Sequence, residues 1–273
     1  DANRVEIIVN GGLDVLGTAS DTVRFLSNGE SPASGDWYGI RYQNYPAGNV
    51  SYARFDHATQ AIKYDNNIDY INSNQYSDTL RVRHNKITNS GAAIYVSYTR
   101  VNMCIESNYY EGSGSFVYAY YNRTNTFNLI HRIRGNTSKG GRIYINYAKS
   151  STDDNYEITY YISNNTLDRS IIVQTLDNAL ITGNKLTLSQ NSYGVEAYQL
   201  AKSTIKNNQL TGHSFGSYGI YLYQSNSTVS DNVISKFETG IYVSTDFTNP
   251  TFDSLLRNTV AVSYTHLRAH ETR

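Results

Sequence analysis

The chain has one cysteine, three prolines, one methionine and one tryptophan in 273 residues. The lone thiol, Cys104, leaves no intrachain disulfide and excludes a zinc site built on several thiolates. No stretch approaches the roughly 18 consecutive apolar residues of a membrane-spanning helix, so membrane insertion is not expected. An excess of charge is also missing, since 23 Lys and Arg balance 23 Asp and Glu. Without a positive field there is no electrostatic footprint for nucleic acid, and no nucleic-acid partner is expected. The chain opens at Asp1 with neither an initiator methionine nor a charged-then-apolar leader, which leaves room for a leader or another domain outside it. What is abundant is tyrosine, 26 residues, and glycine, 19, among many Asn, Ser and Thr. That mixture favours strands and turns over helices.

A repeat organises this material. The pattern apolar-x-x-Asn recurs as VRHN, IESN, IRGN, ISNN, ITGN, IKNN, VSDN and LLRN, ending on Asn85, Asn108, Asn136, Asn165, Asn184, Asn208, Asn232 and Asn258. Successive asparagines lie 23, 28, 29, 19, 24, 24 and 26 residues apart. Such a period marks a solenoid of short coils, each too small to bury its apolar face without neighbours. Most asparagines are followed by a period-two run such as AIYV, RIYI, GIYL or GIYV. Alternation puts Ile94, Val96, Ile143, Ile145, Ile220, Leu222, Ile241 and Val243 inward, as stacked aliphatic columns. The asparagines suit a turn between strands, with each amide bonded to its equivalent in the next coil. The upstream stretches VEIIVNGGLDVLG, GDWYGIRY and NVSYARFDHATQAIKY read as earlier coils with less regular turns, giving about 11 coils and a body on the order of 50 Å long.

These residues carry a family resemblance. The N-x-I/L/V repeats, the GIYV strands and the GDWYGIRY opening resemble the right-handed parallel β-helix repeats of the pectate-lyase-like superfamily. The resemblance implies an all-β solenoid in a secreted or surface-exposed protein and leaves function open, because that superfamily holds lyases, glycosidases, epimerases, phage tailspikes and noncatalytic surface proteins. The polygalacturonase-like set of NTD, DD, GHG and RIK is not reproduced: Asp153-Asp154 is an isolated DD, and Gly212 to Ser214 reads GHS. The epimerase-like YG-x-DPH pattern is missing as well.

The solenoid is expected to occupy residues 1–261 and to be cut at both ends. Val262 to Arg273, VSYTHLRAHETR, leaves the repeat where the Asn258 coil should continue. It resembles the translated read-through of a transposase-type sequencing adapter and is set aside as non-native, together with His266 and His270.

Two groups of residues could carry function. Outward positions between the inward aliphatics hold Tyr95, Tyr118, Tyr144, Tyr221 and Tyr242, interrupted by Glu196, with Tyr120, Tyr198 and Tyr223 two residues further along. Such a flat strip of rings, beside Asn, Gln and Ser, can stack on sugar faces while amides and hydroxyls bond the sugar hydroxyls. The simpler reading is a set of good outward strand residues in cross-coil contact. The second group is the basic run His131, Arg132, Arg134, Lys139 and Arg142, where Arg132, Arg134 or Lys139 could neutralise or deprotonate an acidic sugar, and Asp153, Asp154 and Glu157 could hold calcium. The simpler alternative is a surface charge ladder, because Arg83, Glu106 and Arg134 occupy one repeat position. Cys104 falls outward, flanked in neighbouring repeats by Arg81 and Arg132, with no base in the sequence to make it a nucleophile. The sequons at Asn49, Asn122, Asn136, Asn164 and Asn226 are frequent enough to arise by composition alone.

The expectation is a β-helix module of a secreted or surface protein that is glycan-binding, adhesive or structural. A polysaccharide or surface glycan is the expected partner, and no cofactor is required. The alternative is a polysaccharide lyase acting on acidic glycans, with calcium as its ion.

Overall fold

The computed structural model describes residues 5–43, 48–65, 79–97, 101–121, 128–147, 157–190, 192–213, 217–245 and 253–261. The C-terminal segment 262–273 and the candidates Asp153 and Asp154 lie outside them. The described residues form thirty strands, β1 to β30, distributed over three ten-stranded sheets. Every third strand joins the same sheet, and each pairs in parallel with the strand three earlier and three later. The fold is a three-sheet parallel β-helix, and the described residues build ten coils, in keeping with the expected solenoid of about 11. Residues 26–38, between β3 (Val23–Phe25) and β4 (Gly39–Tyr42), form a corner loop with only an isolated bridge at Trp37, so the upstream stretch supplies two coils.

Alternation sets the core. In the first sheet Ile40, Ile62, Ile94, Val117, Ile143, Ile171, Val195 and Ile220 lie in register coil upon coil, each with no solvent exposure. Burying each such side chain contributes about 1.5–3 kcal/mol relative to an exposed one. Ile241 and Val243 continue these columns into the tenth coil, where Val243 becomes 39 % exposed because no described strand covers it.

The eight asparagines mark the corner between the second and third sheets, and seven of them are buried. Asn85 Nδ2 donates to Asn108 Oδ1 at 3.0 Å, and the same bond repeats at 2.9–3.0 Å through every coil to Asn258. The second Nδ2 proton of each goes to a carbonyl of the preceding coil, such as Val82 for Asn108 and Ile105 for Asn136. Each backbone N–H of the series from Asn85 to Asn232 also donates to the next Oδ1. A buried amide with its donors used in this way escapes the penalty of unpaired polar groups.

The residue before each asparagine is left-handed: His84, Ser107, Gly135, Asn164, Gly183, Asn207, Asp231 and Arg257 all have φ between 49° and 66°. A left-handed residue turns the chain sharply enough to end the second-sheet strand and start the third-sheet strand two residues later. Glycine at 135 and 183 meets this requirement without Cβ strain.

Candidate functional site

The tyrosine-bearing part of the first sheet's outer face is built by β10 (Ala92–Ser97), β13 (Ser115–Tyr121), β16 (Arg142–Tyr147), β19 (Ile171–Gln174), β22 (Val195–Tyr198), β25 (Tyr218–Tyr223) and β28 (Thr239–Ser244). Strand register brings Tyr95, Tyr118 and Tyr144 into one outward column, followed by Ile172 and Glu196 and then Tyr221 and Tyr242. The gap in the tyrosine column is therefore two coils wide. Two residues along, Tyr120, Asn146, Gln174, Tyr198 and Tyr223 form the neighbouring column.

Coil spacing dictates how the rings meet. Tyr95 and Tyr118 stack at 5.0 Å with planes 8° apart, Tyr118 and Tyr144 at 5.1 Å and 19°, and Tyr221 and Tyr242 at 5.4 Å and 4°. In the second column Tyr198 and Tyr223 stack at 4.6 Å. Strands lie about 4.8 Å apart, so equivalent rings in successive coils fall naturally into face-to-face contact. Tyr118 is sandwiched on both faces. The outer flanks are occupied as well: Lys63 Nζ lies over the Tyr95 ring and the Arg142 guanidinium over the Tyr144 ring. The first block thus offers ring edges and phenol hydroxyls rather than open ring planes.

Polar side chains bridge the gap. Asn146 Nδ2 donates to the Tyr144 hydroxyl at 3.2 Å, that hydroxyl donates to Gln174 Oε1 at 3.3 Å, and Gln174 Nε2 donates to Glu196 Oε1 at 3.2 Å. A polar chain three coils long therefore links the first tyrosine block towards the second. Burial pushes the Glu196 carboxyl above its ordinary value, against the hydrogen bond from Gln174 and the charge of Arg142. Burial and the neighbouring phenols raise Tyr118 and Tyr221.

Two rings outside the repeat positions enlarge the second block. Tyr193 stacks on Tyr221 at 5.2 Å, and Tyr218 packs against Tyr242 at 5.1 Å and against Tyr221 edge-on. Tyr193 sits at the corner entering the first sheet, and Tyr218 opens β25. Their adjacency to glycine in Tyr193-Gly194 and Tyr218-Gly219 is the sequence signal that marks them.

The basic run is dispersed by the fold. His131 is fully buried, packed against the Tyr160 ring at 4.6 Å, and its Nδ1 accepts from the Met103 N–H at 3.2 Å. Alternation through Leu129-Ile130-His131-Arg132-Ile133 makes it an inward residue, so it does not belong to a surface cluster. Burial drives its imidazole down to about 3. Arg132 and Arg134 are exposed on the outer face of the second sheet, Arg132 over the Tyr161 ring and Arg134 paired with Glu106 at 2.8 Å. Arg83 pairs with the same Glu106 at 3.0 Å, which completes a three-coil charge ladder. Lys139 lies on the third sheet beside Glu111, with its ammonium over the Tyr109 ring.

Glu157 accepts from Asn178 Nδ2, and among the described residues no group of three His, Cys, Asp or Glu side chains is placed to hold a metal ion. Cys104 aligns between Arg81 and Arg132 and is 7 % exposed, with Arg83 Nη2 3.2 Å from its sulfur. Asn136 of the third sequon is spent in the buried ladder.

Residues 151–262 match the family described as right handed beta helix region. The matched segment contains the coils from Ile158 onward, including the second tyrosine block, and it agrees with the three parallel sheets in making this a right-handed β-helix. No curated protein and no solved structure matches the chain.

Proposed function

We propose that this chain is a noncatalytic glycan-binding module of a secreted or surface-exposed protein, and that the outer face of the first sheet is its binding surface. The observation that carries the reading is the pair of tyrosine blocks joined by the polar chain Asn146, Tyr144, Gln174 and Glu196. The arrangement is long, regular and rich in hydroxyl and amide groups, as an extended sugar chain requires. Since the rings stack on each other, the sugar would be held by phenol hydroxyls, ring edges and amides. The extracellular setting rests on the resemblance to pectate-lyase-like repeats.

The test is a set of phenylalanine replacements, which keep the ring stacks and remove only the hydroxyls. The wild-type chain is applied to an array of neutral and acidic oligosaccharides, and the best ligand is titrated against Tyr118→Phe/Tyr144→Phe/Tyr221→Phe. Affinity should fall tenfold or more with an unchanged melting temperature. Unchanged affinity, or an array without a bound glycan, overturns the reading. Pectate and alginate are followed in parallel by ultraviolet absorbance, with and without calcium, and unsaturated product would replace a binding module with a lyase.

A further inference from the structure

A second site stands at the corner where the chain passes from the third sheet into the first. A cavity of about 280 Å³ opens there, lined by Ser115, Arg142, Arg169, Gln190 and Ser192 with the backbone of Gly114 and Gly140. Its walls come from four successive coils, through Ser113 to Ser115, Gly140 with Arg142, Arg169 with Ser170, and Gln190 with Ser192. The volume lies just below the usual ~300–1,000 Å³ of small-ligand pockets. The lining contains two guanidinium groups, hydroxyls and amides, and no carboxylate.

Neither arginine has an ion-pair partner among the described residues. Arg142 lies over the Tyr144 ring, 5.2 Å from its centroid. Arg169 is half-buried, and its Nε and Nη1 are shielded from solvent without a hydrogen-bond partner. A charged donor left in that state is costly, and native structures rarely tolerate it without compensation. The carboxylates nearby are engaged elsewhere: Asp168 accepts from the Gly140 N–H at 2.6 Å, and Glu196 from Gln174. On the far wall Ser170 donates to the Tyr193 carbonyl, and its oxygen lies 2.5 Å from Ser192 Oγ, which fixes the position of that hydroxyl.

We propose that this pocket binds a compact oxyanion, with Arg142 and Arg169 as its charged donors and Ser115 and Ser192 as hydroxyl contacts. A guanidinium fork matches the spacing of carboxylate, sulfate or phosphate oxygens, and turning the Arg169 fork into the cavity would give its unpartnered N–H groups acceptors. The oxyanion is either a free inorganic ion or the charged group of a polymer lying along the solenoid. This inference is independent of the glycan reading, because it uses none of the hydroxyls altered in the phenylalanine variants.

The test is calorimetric titration of the full chain with sodium sulfate, sodium phosphate and a sulfated oligosaccharide, at constant ionic strength set with chloride. Saturable binding of at least one probe is expected. It should weaken tenfold or more in Arg142→Gln, whose side chain is exposed and whose replacement leaves the core intact, and be lost in Arg142→Gln/Arg169→Gln. Arg134→Gln, on the second sheet, should bind as wild type. Binding of the inorganic ions assigns a free-anion site, and binding of the oligosaccharide alone assigns a polymer-borne group. No saturable binding of any probe, or binding that survives in the double variant, overturns the proposal.

Discussion

Asn136 and Asn165 lie one coil apart, and Asn165 Oδ1 accepts from both the backbone N–H of Asn136 at 3.0 Å and its Nδ2 at 2.9 Å. One oxygen thereby ties a turn to its successor twice, and the same geometry runs from Asn85 to Asn258. The first prediction follows from interrupting it. In Asn136→Ala the N–H and Nδ2 of Asn108 lose their shared acceptor in a buried corner. Each orphaned donor costs about 1–3 kcal/mol, so urea denaturation should report a loss of about 3 kcal/mol or more. Asn258→Ala, in the partly exposed tenth coil, should cost about half of that or less. Equal losses at the two positions would show that burial of the ladder contributes nothing.

A second prediction concerns the left-handed residue that precedes each ladder asparagine. Gly183 has φ 66°, and a Cβ there would stand 2.4 Å from Asn164 Oδ1. Gly183→Ala combines left-handed strain with a steric shift, and a loss of about 1–2 kcal/mol is expected. Ser107→Gly, which relieves the strain of φ 54°, should be neutral or gain up to about 1 kcal/mol in the same assay. A destabilising Ser107→Gly would mean that the serine side chain, not the backbone, holds that turn.

These two devices differ in how far the sequence announces them. The asparagine is visible because one residue type recurs at the same corner of eight coils, and the inward columns are visible because side chains alternate along each strand. The left-handed residue is hidden, because His84, Ser107, Gly135 and Asn164 satisfy one backbone requirement with four chemistries. The tyrosine columns follow from alternation, whereas ring stacking, which turns edges rather than faces outward, depends on coil spacing. His131 was within reach of the same alternation, and its charge-bearing neighbours obscured it. The Arg142 and Arg169 pocket is assembled from corners of unequal length in different coils, which no period in the sequence aligns.

The burial of His131 makes stability depend on pH. Its imidazole titrates at about 3 in the fold, against an ordinary value of 6.5. Below pH ~6.5 the unfolded chain takes up this proton and the folded chain does not. The unfolded state then binds more protons, so stability falls as the pH is lowered towards ~3, with a slope approaching ~1.4 kcal/mol per pH unit. Above ~6.5 this group adds no pH dependence. His131→Gln cannot titrate, so the stability of wild type relative to the variant should decline between about pH 7 and pH 5. A difference that stays constant would place His131 in contact with water.

The ladder of Arg83, Glu106 and Arg134 yields a deliberately small prediction. Arg134 is 58 % exposed at its side chain, so solvent and salt screen its pairing with Glu106. Arg134→Ala should cost under ~1 kcal/mol, and that loss should disappear at about 1 M salt. Its glycan affinity should match wild type. A glycan-binding defect in Arg134→Ala would move the binding surface from the first sheet to the second.

The tenth coil presents the other extreme of exposure. Leu255 and Val260 are in register with Val229 and Ile234, which are fully buried, yet they are themselves 50 % and 43 % exposed. Val243 stands in the same relation to Leu222. An edge that combines open apolar side chains with unpaired strand groups is a template for association. Sedimentation velocity should show concentration-dependent self-association of the chain ending at residue 261. Leu255→Lys/Val260→Lys should abolish it while leaving the far-ultraviolet circular dichroism unchanged, because neither side chain supports a coil beyond its own among the described residues. Association that persists in this variant would shift the contact to the opposite end, where Val5, Ile8 and Leu16 are exposed, and Ile8→Lys/Leu16→Lys would then be the variant that disperses it.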